Sequence, residues 1–303
     1  MKIVKFLLIF QLLMTLSISF AGEIALTFDD VPKSGSQLMS GSERTDLLIE
    51  NLKKVGVKQV MLFALTKSID ENSESRIYSY IRAGHLIANH SYSHFWTDKV
   101  SASEYISDIS KAHSILKNYQ NFVLFYRHPF LDEGKTKETR DAIRAYLAQS
   151  GYSNGYVTVD NYDWYMDTLY QKAVREGKTV DYDKLKTIYI EELWDSIQFY
   201  DEIAKEELGR SPKHILLLHE NDLAAMFIDD LVKFLEEKGW SIISPLEAYK
   251  DPISKVIPDT LFNNQGRIAA IAAQNGRRKS ELINENEDEE YLDKLFKEQG
   301  VFK

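Results

Sequence analysis

The 303-residue chain contains no cysteine. That absence excludes disulfides, cysteine nucleophiles and thiolate metal sites, so stability rests on the core and any metal must be held by His, Asp or Glu. It is compatible with a periplasm or a cell exterior. Positive charge is also short: 37 Lys and Arg stand against 46 Asp and Glu, a formal net charge of -9. No basic surface for a phosphate backbone follows from such a balance, and nucleic acid is disfavoured as a partner. No repeat of fixed period is visible. What is present, 44% hydrophobic and 12% aromatic residues, suffices for one large domain such as an α/β barrel or for two smaller ones.

Residues Met1 to Ala21 read as a secretory signal. Lys2 and Lys5 form a basic start, Phe6 to Leu16 an apolar run, and Ser19-Phe20-Ala21 a small-x-small cleavage site. The apolar run is shorter than the roughly 20 residues a spanning helix needs. Export to the periplasm or medium is therefore expected, with Gly22 as the first mature residue and no stable membrane anchor after cleavage.

Downstream, strand and helix signals alternate. Ile24-Ala25-Leu26 is an apolar run too short for a helix and right for a buried strand; Glu43 to Val55 is amphipathic and stops at Gly56, and Gln59 to Leu65 is apolar again. The same pattern predicts helices over Glu74 to Ala83, Ser103 to Tyr119, Lys137 to Gln149, Tyr182 to Leu208 and Asp222 to Lys238. It predicts strands over His85 to Ala88, Phe122 to Phe125, Gly155 to Val159, Ile215 to Leu218 and Trp240 to Ile243. Seven strands separated by helices argue a parallel sheet. A closed barrel is preferred over an open doubly wound sheet because polar residues recur at the carboxyl ends of the strands.

Those polar residues carry the chemistry. Asp29 and Asp30 end the first strand, and Val31-Pro32 breaks it. Adjacent residues on an extended segment point oppositely, so both reach one cleft only if the backbone turns there. His90 and His94 lie four residues apart after the Leu86 strand, where one helical turn or a tight loop lets both face one metal. With a carboxylate they make a two-His, one-Asp set that leaves coordination positions open, the mark of a catalytic site. Arg127, Asp160, Asp163, Trp164 and His219 follow at other strand ends. Each alone reads as an ordinary surface, turn or core residue, but coincidence at five strand ends is improbable.

Taken together, T-F-D-D at Thr27 to Asp30, H-S-x-x-H at His90 to His94, R-x-P-F at Arg127 to Phe130, D-x-x-D-W at Asp160 to Trp164, and the apolar run ending in His219 resemble the polysaccharide deacetylases of the NodB homology domain, carbohydrate esterase family 4. The resemblance spans roughly Ile24 to Ile243. It implies an irregular (β/α)7 TIM-like barrel, with residues 22–248 as the catalytic domain and 249–303 as an extension packed on it. It implies Asp29 as general base, Asp30, His90 and His94 as metal ligands, Arg127 and Asp163 as residues orienting the base, and His219 as general acid. Trp164, Pro129, Phe130 and Asp160 would line the substrate groove. The implied cofactor is a divalent cation, Zn²⁺ by family expectation, although such a ligand set also suits Co²⁺, Ni²⁺ or Fe²⁺.

The implied activity is removal of N-acetyl groups from an exported N-acetylglucosamine glycan, peptidoglycan or chitin-like, which makes an acetylated glycan the expected partner. The alternatives are hydrolysis of a small amide or an acetyl ester such as acetylxylan, and a non-catalytic glycan-binding relative. Val31 departs from the family's usual glycine. Tyr165 to Asp181 reads as an insertion whose Tyr165 and Tyr170 are candidates for the groove wall. In the tail, Tyr291, Leu292, Leu295 and Phe296 at helical spacing predict a docked helix over Glu287 to Glu298.

Overall fold

The computed structural model describes residues 22–303; the expected signal segment lies outside them. The central element is β1 (Gly22–Val31), whose Ile24, Ala25, Leu26 and Phe28 are fully buried. A strand covered on both faces reads as a continuous apolar run, and that is the environment of a parallel sheet. β2 (Met61–Ala64), β3 (Leu86–Asn89), β4 (Phe122–Tyr126) and β5 (Ser153–Asn154) extend from one side of β1, and β6 (Lys213–His219) lies on the other, all parallel. β7 (Trp240–Ile242) pairs with the start of β1. The sheet curls into the expected (β/α)7 barrel-like fold.

The predicted strand over Gly155 to Val159 is corrected. Regular pairing is confined to Ser153–Asn154, with an isolated bridge between Val159 and Leu216. The carbonyls between are taken by other partners: Gly155 O accepts from Arg127 Nε, Tyr156 O from the Tyr249 hydroxyl, and Val157 O from the Arg267 amide. The segment nonetheless bridges the sheet's two edges, because the Gly155 amide bonds Tyr126 O and the Val159 amide bonds Ile215 O. A Cβ at Gly155 would stand 2.6 Å from the Phe63 ring, so only glycine passes there.

Helices cover the outside. α1 (Gly41–Lys54) follows β1, and its first turn carries a capping box between Ser40 and Glu43. α2 (Glu74–Arg82), α3 (Ala102–Leu116) and α4 (Lys137–Gln149) precede β3, β4 and β5 in turn. The expected insertion is mostly helix α5 (Asp163–Arg175), followed by α6 (Tyr182–Leu208) and α7 (Asp222–Glu237). Tyr170 is buried in α5, and the Tyr165 hydroxyl bonds Asp293, so neither forms the groove wall suggested by the sequence.

The chain beyond β7 forms α8 (Pro245–Ala248), α9 (Gly266–Gln274) and α10 (Glu289–Glu298). Leu282, Leu292, Phe296 and Val301 enter the same hydrophobic core as β1. No helix among the described residues is long and apolar enough to cross a membrane.

Candidate active site

The two aspartates share one cleft because β1 is irregular where they lie. Its register with β2 shifts between Phe28 and Val31, and Asp30 takes a left-handed φ of 64°. A local bulge of this kind re-aims a side chain. The Val31–Pro32 peptide that follows is cis. Asp29 is directly opposite His219 on the neighbouring strand β6.

Asp29 is buried, and its Oδ1 accepts from Arg127 Nη1 at 2.6 Å. Arg127 is itself fully enclosed. It donates to Thr27 Oγ1, Gly155 O and the Tyr249 hydroxyl, and its guanidinium lies 3.8 Å from the centroid of the Phe63 ring. A planar donor fork fixed on so many sides has one orientation. Asp29 Oδ2 is left 3.7 Å from His90 Nε2.

Asp30, His90 and His94 converge, with one ligand atom from each lying within 4.8 Å of the others. His94 Nε2 is 3.3 Å and His90 Nε2 3.7 Å from Asp30 Oδ1. Among the described residues that oxygen has no hydrogen-bond partner, an unmet acceptor of the kind a cation would satisfy. His90 Nδ1 is bonded to Arg127 O at 3.0 Å, which turns Nε2 inward. Burial, with the charge of His90 adding to it, lowers the pKa of His94 to about 4, so its ring is neutral and able to ligate. Burial would raise the Asp30 carboxyl, but neighbouring positive charge, foremost that of His219, outweighs it and holds that group below its ordinary range. Two imidazoles and one carboxylate whose inward oxygen is unpartnered fit a divalent cation.

The histidines sit on a tight loop. Ser91 and His94 have φ of 72° and 60°. Asn89 Oδ1 accepts from the Ser91 amide, and Asp108 Oδ2 accepts from the amides of Tyr92 and Ser93.

Across the cleft, His219 Nδ1 lies 2.7 Å from Asp163 Oδ1, and the His219 amide donates to Asp163 Oδ2 at 2.9 Å. The expectation that Asp163 orients the base is therefore corrected: Asp163 starts α5 beside β6 and grips the histidine, while Arg127 alone of the two holds Asp29. Burial acts to lower the His219 pKa, but the charge and hydrogen bond of Asp163 outweigh it and raise it.

Trp164, Phe130 and Asp160 line the cleft of about 440 Å³ around these groups. Burial and the Glu287 carboxyl push Asp160 well above the carboxylate range. Pro129 does not line the cleft; it is buried at the start of a short turn, where its fixed φ precedes the left-handed Phe130.

Several contributors were not singled out in the sequence. Leu217, Asn264 and Gln265 line the cleft, and Tyr249 supports Arg127. Glu220, next to His219, accepts from Arg76, Tyr80, Thr45 and the Lys33 amide. Its position directly after the strand-end histidine was the available signal.

An α/β barrel with a two-histidine, one-carboxylate cluster at the carboxyl ends of its strands is the class that fold and site define. Residues 21–155, somewhat under half of the chain, match the family model described as polysaccharide deacetylase. It is 31% identical over 114 residues to a bifunctional xylanase/deacetylase of Pseudobutyrivibrio xylanivorans, covering 37% of this chain and 17% of that protein. It is 33% identical over 109 residues to a peptidoglycan-N-acetylglucosamine deacetylase of Bacillus cereus, covering 36% of each. The matched stretch thus spans well under half the length of either curated relative. A family 4 carbohydrate esterase from Streptomyces lividans, solved in complex with acetate, shares the fold, with a TM-score of 0.50 and 20% identity over 76% of this chain and 97% of that one.

Proposed function

We propose that the protein is a metal-dependent hydrolase that removes N-acetyl groups from an N-acetylglucosamine-containing glycan outside the cytoplasm, releasing acetate. The observation that carries the reading is the convergence of Asp30, His90 and His94 between a carboxylate fixed by Arg127 and a histidine fixed by Asp163. Asp30, His90 and His94 would hold the cation. Bound there, a divalent metal, Zn²⁺ by resemblance, supplies Lewis acidity toward an acetyl carbonyl and toward water.

The remaining steps belong to the chain's own residues. Asp29, with Oδ1 occupied by Arg127, accepts the attacking water's proton on Oδ2. His219, protonated through Asp163, gives a proton from Nε2 to the amine as the C–N bond breaks, so water and amide become acetate and free amine. Asp160, on the cleft wall, would hydrogen-bond the bound sugar. Trp164 and Phe130 supply apolar walls.

Acetate released from metal-reconstituted protein tests the reading, with peptidoglycan, chitooligosaccharides, acetylxylan and small acetamides as substrates. Release from the N-acetylated glycans is expected. Release from acetylxylan or small acetamides alone would move the activity to the second alternative, and release from none would favour a non-catalytic relative. The N-terminal residue of exported protein, expected to be Gly22, tests the location.

A further inference from the structure

Among the described residues five arginines are buried: Arg44, Arg76, Arg127, Arg140 and Arg267. The first four each hold a carboxylate, from Asp222, Glu220, Asp29 and Asp259 in turn. Arg267 holds none. Only Val256 O accepts from its guanidinium, through Nη1, and Cζ lies 4.3 Å from the centroid of the Tyr156 ring. A charge taken out of water without a counter-charge is strongly unfavourable, so the exception points to an anion supplied from outside the chain.

The position of Arg267 is fixed by its backbone. Gly266, with φ of 81°, brings the start of α9 so close to Val157 that a Cβ would stand 2.8 Å from the Val157 carbonyl oxygen, and the Arg267 amide donates to that oxygen. The neighbouring carboxylate is already committed. Glu133 accepts from Arg144 Nε and Nη2 at 2.8 and 2.6 Å and from Asn154 Nδ2 at 2.9 Å. Arg267 lines a cavity of about 310 Å³ that shares no lining residue with the metal-ligand cleft. His128 and Tyr156 line it too, and neither His128 ring nitrogen nor the Tyr156 hydroxyl has a hydrogen-bond partner among the described residues. Phe125, Leu147 and Ile257 give the same cavity an apolar wall, and Ile257, 68% exposed, places its mouth in solvent.

A guanidinium with N–H groups to spare matches the two oxygens of a carboxylate. We infer that this cavity is a binding site for a small organic carboxylate, whose oxygens take the remaining N–H groups of Arg267 and whose apolar part lies against Phe125, Leu147 and Ile257. Inorganic phosphate would meet the charge of Arg267 and leave the apolar wall uncovered. The site is separate from the proposed hydrolysis and does not rest on that reading.

Calorimetric titration of the full Zn²⁺-loaded chain with sodium benzoate at constant ionic strength tests the site, with benzyl alcohol as the uncharged control and inorganic phosphate as the control without an apolar part. Benzoate should bind, and each control should bind about tenfold or more weakly. Arg267→Gln should weaken benzoate binding about tenfold or more, the loss of a charge-assisted pair. Ala148→Trp, at an exposed position of α4 that lines the cavity, should block binding to a similar extent and decides the matter if Arg267→Gln misfolds. Asp30→Ala should leave benzoate binding unchanged, because a carboxylate held by the metal would be lost with it. A parent that does not bind benzoate overturns the site, as does equal binding in the folded variants at Arg267 and Ala148, or loss of binding in Asp30→Ala. Benzyl alcohol or phosphate binding as tightly as benzoate overturns the assignment of the ligand as an organic carboxylate. Acetate release enters none of these readouts, so failure of the site and failure of the hydrolase reading are separate results.

Discussion

Replacing Asp29 by Asn separates the base from the metal ligands. Asn is nearly isosteric and keeps an oxygen to accept from Arg127 Nη1, now 2.6 Å from Asp29 Oδ1. The structural loss is the difference between a charge-assisted and a neutral hydrogen bond, about 1 to 2 kcal/mol. The amide cannot take a proton from water, so turnover should fall by roughly two to four orders of magnitude. Metal content should stay near normal, because the converging ligand atoms belong to Asp30, His90 and His94. Asp30→Ala should do the reverse, removing one of three ligands and emptying the site at limiting metal. Elemental analysis, acetate release and thermal denaturation on the same preparations measure the three effects. Loss of metal from Asp29→Asn with retention in Asp30→Ala would reverse the roles, and full activity with full metal in both would refute the site.

Three further outcomes follow from the other half of the cleft and from the tail. His219→Ala should reduce amide turnover far more than turnover of an activated aryl acetate, whose leaving group needs little protonation; equal losses would remove its role as acid. Because the His219 pKa is raised, the protonated ring persists above its ordinary range, and amide turnover should fall as pH climbs through the raised value. Asp163→Asn removes the cause that raises it, so the alkaline limb of the pH–rate profile should shift toward lower pH, and an unmoved limb would count against the pairing. Truncation after Asn284 removes Leu292, Phe296 and Val301, all buried. At about 1.5 to 3 kcal/mol for each large side chain, the melting temperature should drop by roughly 10 °C or more, and an unchanged melting curve would show that the tail contributes nothing.

The strands were legible because a strand buried on both faces needs an unbroken apolar run, and Ile215 to Leu218 is one. The carboxylates and histidines were legible because they follow such runs at once. What remained hidden depends on contacts between residues far apart in sequence. Gly155 to Val159 looks like a strand, yet its carbonyls answer to Arg127, Tyr249 and Arg267, which no local pattern announces. The expected boundary after Ala248 falls one residue before Tyr249, whose hydroxyl donates to Tyr156 O and accepts from Arg127. Asn264 lies in a polar stretch without periodicity, and only the folded chain places it against Phe130.

The geometry of the two aspartates depends on residues that touch neither metal nor water in the proposed reaction. Arg44 and Arg76 are buried, and both donate to Lys33 O, in the loop that leaves the Asp29–Asp30 bulge. Arg76 is paired with Glu220 at 2.6 Å and Arg44 with Asp222 at 2.7 Å, the two acids that follow His219 and Asn221 on the other side of the cleft. Ion pairs taken out of water contribute little net stability, since desolvation offsets most of their attraction. Apolar residues of equal volume would hold the fold as well, but they have no direction. Charged forks do: by binding one loop's carbonyl and the opposite strand end's carboxylates together, Arg44 and Arg76 join the element that carries Asp29 and Asp30 to the element that carries His219. The separation of the proposed base and acid is then set by a network of fixed length, and Glu220→Gln, which leaves Arg76 buried without its counter-charge, should lower both turnover and the melting temperature, by about 3 to 5 kcal/mol of stability; an unchanged melting curve would refute the coupling.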